Sequence, residues 1–290
     1  MRVIRVISVW FLLAAVGLSG QDNASGTDAT MEQLTPELQE NLIDPVTVEK
    51  NATFAGGESL KFKLGWGIFS VAKASLQTIP DTYDNKEALR ITLSARTNGF
   101  ADAIYKVRNV NTSWIADDVS RSFEYASDQN EGGRRRDSRA CFDTEANTAQ
   151  YSNKVNGENR EPISVVPGTF DPLGIVFLAR ALDFDVGDKI VIPTSNGKEF
   201  FYTIIHVKDK VTKNFRFGKR EAFVLEPDIK DIGGVFKRSD DGKIRFFMSA
   251  DEEKLPLRME SEVAVGKFWA ELVEVEDPEQ MESVAVSEIE

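Results

Sequence analysis

From Gly57 onward the chain alternates apolar and polar residues with a period of two. Leu60, Phe62, Leu64 and Trp66 interleave with Ser59, Lys61, Lys63 and Gly65, and Leu89, Ile91, Leu93 and Ala95 interleave with Arg90, Thr92, Ser94 and Arg96. Successive side chains of a strand point to opposite faces, so this pattern buries one face of a sheet and wets the other. The same alternation returns in runs at 189–193, 199–207, 221–226, 233–238, 243–249, 257–265 and 267–275. Between such runs stand Asn156-Gly157, Asn196-Gly197 and Asp241-Gly242, residue pairs that two-residue hairpin turns favour. The pattern therefore predicts a mainly β chain, an extended antiparallel sheet rolled into a barrel or half-barrel.

One segment breaks the alternation. Over 171–182, Leu173, Val176, Phe177 and Arg180-Ala181 fall at helical spacing, Asp171 or Thr169 can cap, and Pro172 suits the first turn. One helix among many strands is expected to pack against the sheet and close part of it. A second helical turn is expected at 100–105. Outside the β region, residues 1–20 read as a signal peptide, with Arg2 and Arg5 ahead of the apolar run from Val6 to Leu18. That run is shorter than the roughly 20 residues a bilayer span needs, so no retained span is expected. Leu18-Ser19-Gly20 has the form of a lipobox, but Gln21 stands where the lipid-bearing Cys would be, which predicts a soluble, unlipidated periplasmic or otherwise exported protein. Residues 21–52 read as a linker with a short helix, 53–275 as the exported β domain, and 276–290 as an acidic disordered tail.

Composition narrows the chemistry. A single Cys, Cys141, and a single His, His206, exclude metal centres built from several Cys and His ligands, and no cofactor is expected. A formal net charge of -12 argues against nucleic acid as a partner, and loss of Arg2 and Arg5 with the leader makes the chain more acidic still. Nineteen Phe against five Tyr supply apolar bulk without polar handles, suiting a β core or a cavity for an acyl chain.

Candidate reactive groups are weak. Ser70 and Lys73, and Ser195 and Lys198, have the Ser-x-x-Lys spacing of penicillin-binding proteins. That chemistry needs both on one helical turn, whereas the first pair lies in a strand-like run and the second in a hairpin turn. His206 has no nucleophile motif to serve. Cys141 has arginines nearby, but a buried inert thiol in a strand is the preferred reading. The adjacent acids Asp117-Asp118, Asp240-Asp241 and Asp251-Glu252-Glu253, and Asp183, Asp185 and Asp188, read as solvated turns. The concentrated positive charge is Arg134, Arg135 and Arg136 with Arg139, a candidate site for a phosphate, carboxylate or acidic glycan through forked hydrogen bonds. The alternative for these arginines is a charged strand edge guarded against aggregation.

Several ordered stretches carry a family resemblance. They are Phe54-Ala55-Gly56-Gly57-Glu58-Ser59-Leu60-Lys61-Phe62 with Trp66-Gly67, then Tyr105-Lys106-Val107-Arg108, then Pro167-Gly168-Thr169-Phe170-Asp171-Pro172-Leu173. They continue with Phe217-Gly218-Lys219-Arg220-Glu221-Ala222-Phe223 and Leu255-Pro256-Leu257-Arg258 before Val265-Gly266. In these the chain resembles the bacterial exported proteins grouped as domain of unknown function 3108. The resemblance implies a mainly β protein of the envelope and carries no catalytic residues. The resulting expectation is a non-enzymatic binding or structural module for an apolar or anionic envelope ligand. A half-barrel carrier of a lipid-like ligand and a carboxylate-dependent hydrolase are the alternatives.

Overall fold

A computed structural model describes residues 52–228, 243–263 and 266–276. The expected leader, the expected linker up to residue 51, the run at 233–238, the Asp241-Gly242 turn and the expected tail beyond 276 lie outside the described residues. A short 3-10 turn, Thr53–Gly56, leads into the sheet.

The first half of the chain forms β1 (Glu58–Trp66), β2 (Phe69–Tyr83), β3 (Lys86–Thr97), β4 (Val107–Ala116), β5 (Ser122–Glu131), β6 (Arg134–Asp143) and β7 (Thr148–Asn153). The short β8 (Glu158–Asn159) and β9 (Ile163–Ser164) both pair with β7. A second meander follows: β10 (Lys189–Ser195), β11 (Phe200–Phe215), β12 (Gly218–Pro227), β13 (Lys243–Ser249), β14 (Pro256–Val263) and β15 (Gly266–Glu276). Helices α1 (Gly99–Asp102) and α2 (Gly174–Ala181) interrupt them.

The strands pair antiparallel in one sheet, in the order β10-β11-β12-β13-β14-β15-β1-β2-β3-β4-β5-β6-β7-β8. Pairing of β15 with β1 joins the two meanders, and the path ends at β10 and β8 without closing, so the sheet is a half-barrel.

Register assigns the faces. Leu60, Leu76 and Leu93 are cross-strand partners, as are Thr78, Ile91, Ser113, Tyr125, Ala140 and Tyr151 in succession. These residues define the inner face, and their sequence neighbours the outer one. Over the inner face lies α2, whose Ile175, Phe177 and Leu178 pack in one core with Leu60, Ile91, Ile115 and Phe170. Full burial of a side chain such as Phe177 or Leu178 contributes roughly 1.5–3 kcal/mol.

The helix begins and ends through side chains distant in sequence. Asp171, fully buried, accepts from the backbone N–H of Leu173 at 2.8 Å and of Gly174 at 3.0 Å, so the helix starts at Gly174 and not at 171. Its other oxygen accepts from Ser113 Oγ at 2.5 Å and Ser122 Oγ at 2.6 Å, which fastens the cap to β4 and β5. Gly174 permits that approach: a Cβ there would lie 3.0 Å from Ser122 Oγ and 3.1 Å from Ile115 Cγ2. At the far end Leu182 is already extended, and Lys254 Nζ donates to its carbonyl.

Burial pushes the Asp171 carboxyl above the ordinary carboxylate range against the pull of its four hydrogen bonds. A raised acid stabilises the fold in its protonated form, so its contribution is full below pH 3.8 and is lost as pH rises through the folded-state value. Asp171→Asn is therefore expected to flatten the fall in unfolding free energy as pH rises above 3.8. Urea unfolding across that range checks this, and an unchanged slope would contradict it.

The hairpins differ from expectation in where the tight turns fall. Asn153 pairs with Glu158 and Ser195 with Phe200, so Asn156-Gly157 and Asn196-Gly197 each sit in four-residue loops. Gly197 is nonetheless required: its φ is +81°, and a Cβ would lie 2.8 Å from that of Ala140. Two-residue turns occur instead at Asp84-Asn85, both with positive φ, and at Gly132-Gly133.

Candidate functional site

The outer face carries a row of cations in direct register. Lys63 of β1 pairs with Lys73 of β2, Lys73 with Arg96 of β3, and Arg96 with Arg108 of β4. The row continues through Asn130 of β5 to Arg135 of β6. The alternation that buries Leu64, Ala72, Ala95 and Val107 on the inner face turns their cationic neighbours to the other side. Directly opposed side chains on one face stand about 5 Å apart at Cβ, and like charges there destabilise a sheet. This chain, acidic overall, sets four cations side by side.

The row lines a groove of about 850 Å³, bordered by Lys61, Lys63, Lys73, Arg96, Arg108 and Arg135 against only Asp128 and Glu274. Those two acids are already engaged: Glu274 pairs with Lys61 at 3.1 Å and Asp128 with Arg135 at 3.4 Å. Arg108 is fixed in place, donating to Asp102 Oδ2 at 2.6 Å and to the Val107 carbonyl at 2.6 Å. Hydrogen bonds from Arg108 and Thr97 hold the Asp102 carboxyl at about 2. Among the described residues, Lys63, Lys73 and Arg96 have no carboxylate within ion-pair distance. The exposed Val110 adds an apolar contact in the groove wall. Chemically, the groove offers two ammonium groups and one guanidinium fork free to hold phosphate or carboxylate oxygens, beside a second guanidinium already anchored.

Strand alternation separates the arginines singled out in the sequence. Arg135 and Arg139 are on the outer face, whereas Arg134 and Arg136 follow inner-face parity. Only Arg135 reaches the groove. Arg139 pairs with the buried Glu124 at 3.1 Å. Lys63 and Arg96 were not singled out in the sequence, and Lys73 only for its spacing from Ser70; the registers of β1, β2 and β3 align the three. Their signal in the sequence was the recurrence of Lys or Arg at polar positions of consecutive strands.

Cys141 departs from expectation. It lies in a strand as predicted but is exposed on the outer face, not buried. Partial desolvation of the sulfur and then the Glu124 charge push its thiol up, outweighing the opposing pull of Arg139, so nearby arginine does not make it reactive.

The Ser-Lys pairs do not meet. Ser195 Oγ donates to the Glu199 carbonyl at 2.9 Å while Lys198 Nζ sits 4.0 Å from the Tyr151 ring centre. Ser70 lies 3.5 Å from the Leu64 carbonyl, and Lys73 belongs to the cation row. His206 faces Asp228 at 3.8 Å. Asp118 accepts from the Ser120 backbone, Asp188 from that of Asp185, and Asp251 from Ser249 Oγ, as turn carboxylates do; Asp240-Asp241 is outside the described residues.

A half-barrel with a polar outer groove and a packed helix defines a β-domain class whose family is set by sequence. The family model described as "Protein of unknown function (DUF3108)" matches residues 61–273, and the chain belongs to that family. No curated protein matches it. A solved structure similar to it is the beta-barrel-like protein of domain of unknown function DUF1849 from Brucella abortus, 9% identical, covering 76% of this chain and 97% of that one with a TM-score of 0.48.

Proposed function

We propose that the protein is an exported, non-enzymatic binding module of the bacterial envelope, and that its ligand is an anion held along the outer-face cation row. The observation that carries this reading is the unbroken register of Lys63, Lys73, Arg96 and Arg108 in a chain of formal net charge -12. Mutual repulsion of such a row is relieved when an anion bridges it. The leader supports export: Arg2 and Arg5 precede an apolar run that no helix among the described residues repeats at membrane-spanning length.

The two alternatives find less support. The inner face beneath α2, where an acyl chain would lie in a carrier, is filled by Phe54, Phe170, Phe177 and Leu178. Buried carboxylates are committed elsewhere: Glu58 to Arg180, Glu271 to Arg216 and Arg258, Asp171 to the helix start.

Amide NMR of the full chain titrated with tripolyphosphate tests the reading. Shifts centred on Lys63, Lys73 and Arg96 that fade with added salt are expected. Shifts centred on Arg134, Arg136 and Arg139, or none, would overturn it.

A further inference from the structure

One end of the sheet exposes large apolar side chains on adjoining connections. Ile68 is 89% exposed and Phe69 62% at the β1–β2 turn, and Phe100 is 68% and Ile104 56% exposed between β3 and β4. The two connections are fastened together: Asn98 donates its backbone N–H to the Val71 carbonyl at 2.9 Å and its Nδ2 to the Ser70 carbonyl at 2.7 Å. Asn98 Oδ1 in turn accepts from the Ala101 N–H at 3.0 Å, and the Gly67 N–H donates to the Lys267 carbonyl at 2.8 Å. These turns are hydrogen-bonded into shape, and they hold their apolar side chains outward. A single exposed apolar residue needs no explanation, whereas a cluster including two Phe marks a contact surface. The other large apolar side chains exposed among the described residues are Val110, Val155 and Val186, which lie elsewhere.

Charge is sorted along the same axis. Lys106 is exposed two residues from Ile104, and Arg134 is exposed at the β5–β6 turn of this end. Lys73 follows Phe69 by four residues along β2, which at strand rise sets it about 13 Å behind that tip, and Arg96 lies level with it as its cross-strand partner. The opposite ends of β2 to β7 carry Asp84, Asp117, Asp118 and Glu145, with Arg121, in their connections. Among the described connections of β1 to β7, the apolar end thus adds the exposed Lys106 and Arg134, its acids Asp102 and Glu131 being engaged by Arg108 and Asn109, while the opposite end carries mainly acids. An anionic surface orients such a charge distribution with the basic end toward it. That spacing is a few ångströms more than the roughly 5–10 Å to which interfacial segments sink, a gap that the long Lys73 and Arg96 side chains can span.

We propose that this end docks on an anionic phospholipid surface. Ile68, Phe69, Phe100 and Ile104 enter the boundary of the acyl region, and Lys106, Lys73 and Arg96 meet lipid phosphates. The proposal rests on the reading of the cation row as an anion site and names its anion as a lipid headgroup.

The test is co-sedimentation of the full chain with phosphatidylcholine vesicles, with and without about 25% phosphatidylglycerol. Wild type and variants share residues 1–52, so the comparison is made with identical leaders. Binding that requires phosphatidylglycerol is expected for the wild type. Phe69→Ser combined with Phe100→Ser is expected to weaken it about tenfold or more, and Lys106→Glu about fivefold or more. The Phe variant alters only exposed side chains and is expected to keep wild-type unfolding and wild-type tripolyphosphate binding. A wild type that binds tripolyphosphate but not the anionic vesicles would overturn the docking proposal and leave the anion site standing. Vesicle binding unchanged in the Phe variant would also overturn it. Binding of neither probe would remove both readings.

Discussion

Replacing Arg180 with alanine is expected to cost about 3–5 kcal/mol of stability, the range for breaking a buried ion pair from one side. The guanidinium is 1% exposed, inside a helix whose other residues are apolar. It donates through Nη1 to Glu58 Oε1, through Nη2 to Glu58 Oε2 at 3.1 Å, through Nε to the Lys254 carbonyl at 3.1 Å, and through Nη2 to the Glu253 carbonyl at 3.2 Å. Its face lies over the Phe54 ring at 4.7 Å and near Phe177 at 5.4 Å. One side chain therefore ties α2 to β1 and to the β13–β14 connection, elements more than seventy residues apart in the chain. Alanine would leave Glu58 charged and buried without its partner, and two carbonyls without their donor. Arg180→Lys keeps the charge but not the fork and is expected to recover only part of the loss. Arg180→Met combined with Glu58→Leu removes both charges and is expected to be milder than Arg180→Ala, because no ion is then stranded. Urea unfolding of the three variants measures these differences. A loss below about 1 kcal/mol for Arg180→Ala would place the pair in the energetic class of solvated surface bridges and contradict its burial.

Lys73→Glu is expected to act in opposite directions on stability and on binding. Lys73 sits between Lys63 and Arg96, so the substitution turns two repulsive cross-strand pairs into attractive ones. At an exposed position each such pair is worth about 0.2–1 kcal/mol, so the variant should unfold at higher urea than the wild type by about 1 kcal/mol in total. The same change removes one anion contact and sets a carboxylate in the groove, which is expected to weaken anion binding about tenfold to a hundredfold. Arg96→Glu, flanked by Lys73 and Arg108, should behave alike. A purely structural row would instead lose stability on charge reversal.

Much of the fold was legible because alternation is a local property. The runs at 243–249 and 267–275 coincide with β13 and β15 to within a residue, and the helical spacing around Phe177 with α2. Asp171 was legible as a cap because a carboxylate two or three residues ahead of a helix reaches its free N–H groups. Tight turns were less legible. Asn-Gly pairs signal positive φ, and Gly157 and Gly197 do have it, but loop length is set by how the strands pair, not by the turn residues. Arg180 was visible as a lone cation in an apolar helix, yet nothing local to it points to Glu58 on the first strand.

The candidate site was hidden for a related reason. Adjacent arginines such as Arg134, Arg135 and Arg136 catch the eye in a sequence, but a strand sends neighbours to opposite faces and so disperses them. Lys63, Lys73, Arg96 and Arg108 are ten or more residues apart and become a row only when four strands fall into register. Reading it from sequence would have required the three connections between β1 and β4 to be placed to the residue, since a slip of one position turns each cation to the other face.

Calorimetric titration of wild type and Lys73→Glu with tripolyphosphate, each at low and at high salt, tests the central claim most directly. The wild type is expected to bind in a way that weakens as salt rises, and the variant, folded and at least as stable, to bind more weakly, by about tenfold or more. Equal binding by the two proteins, or no binding by the wild type at low salt, would contradict it.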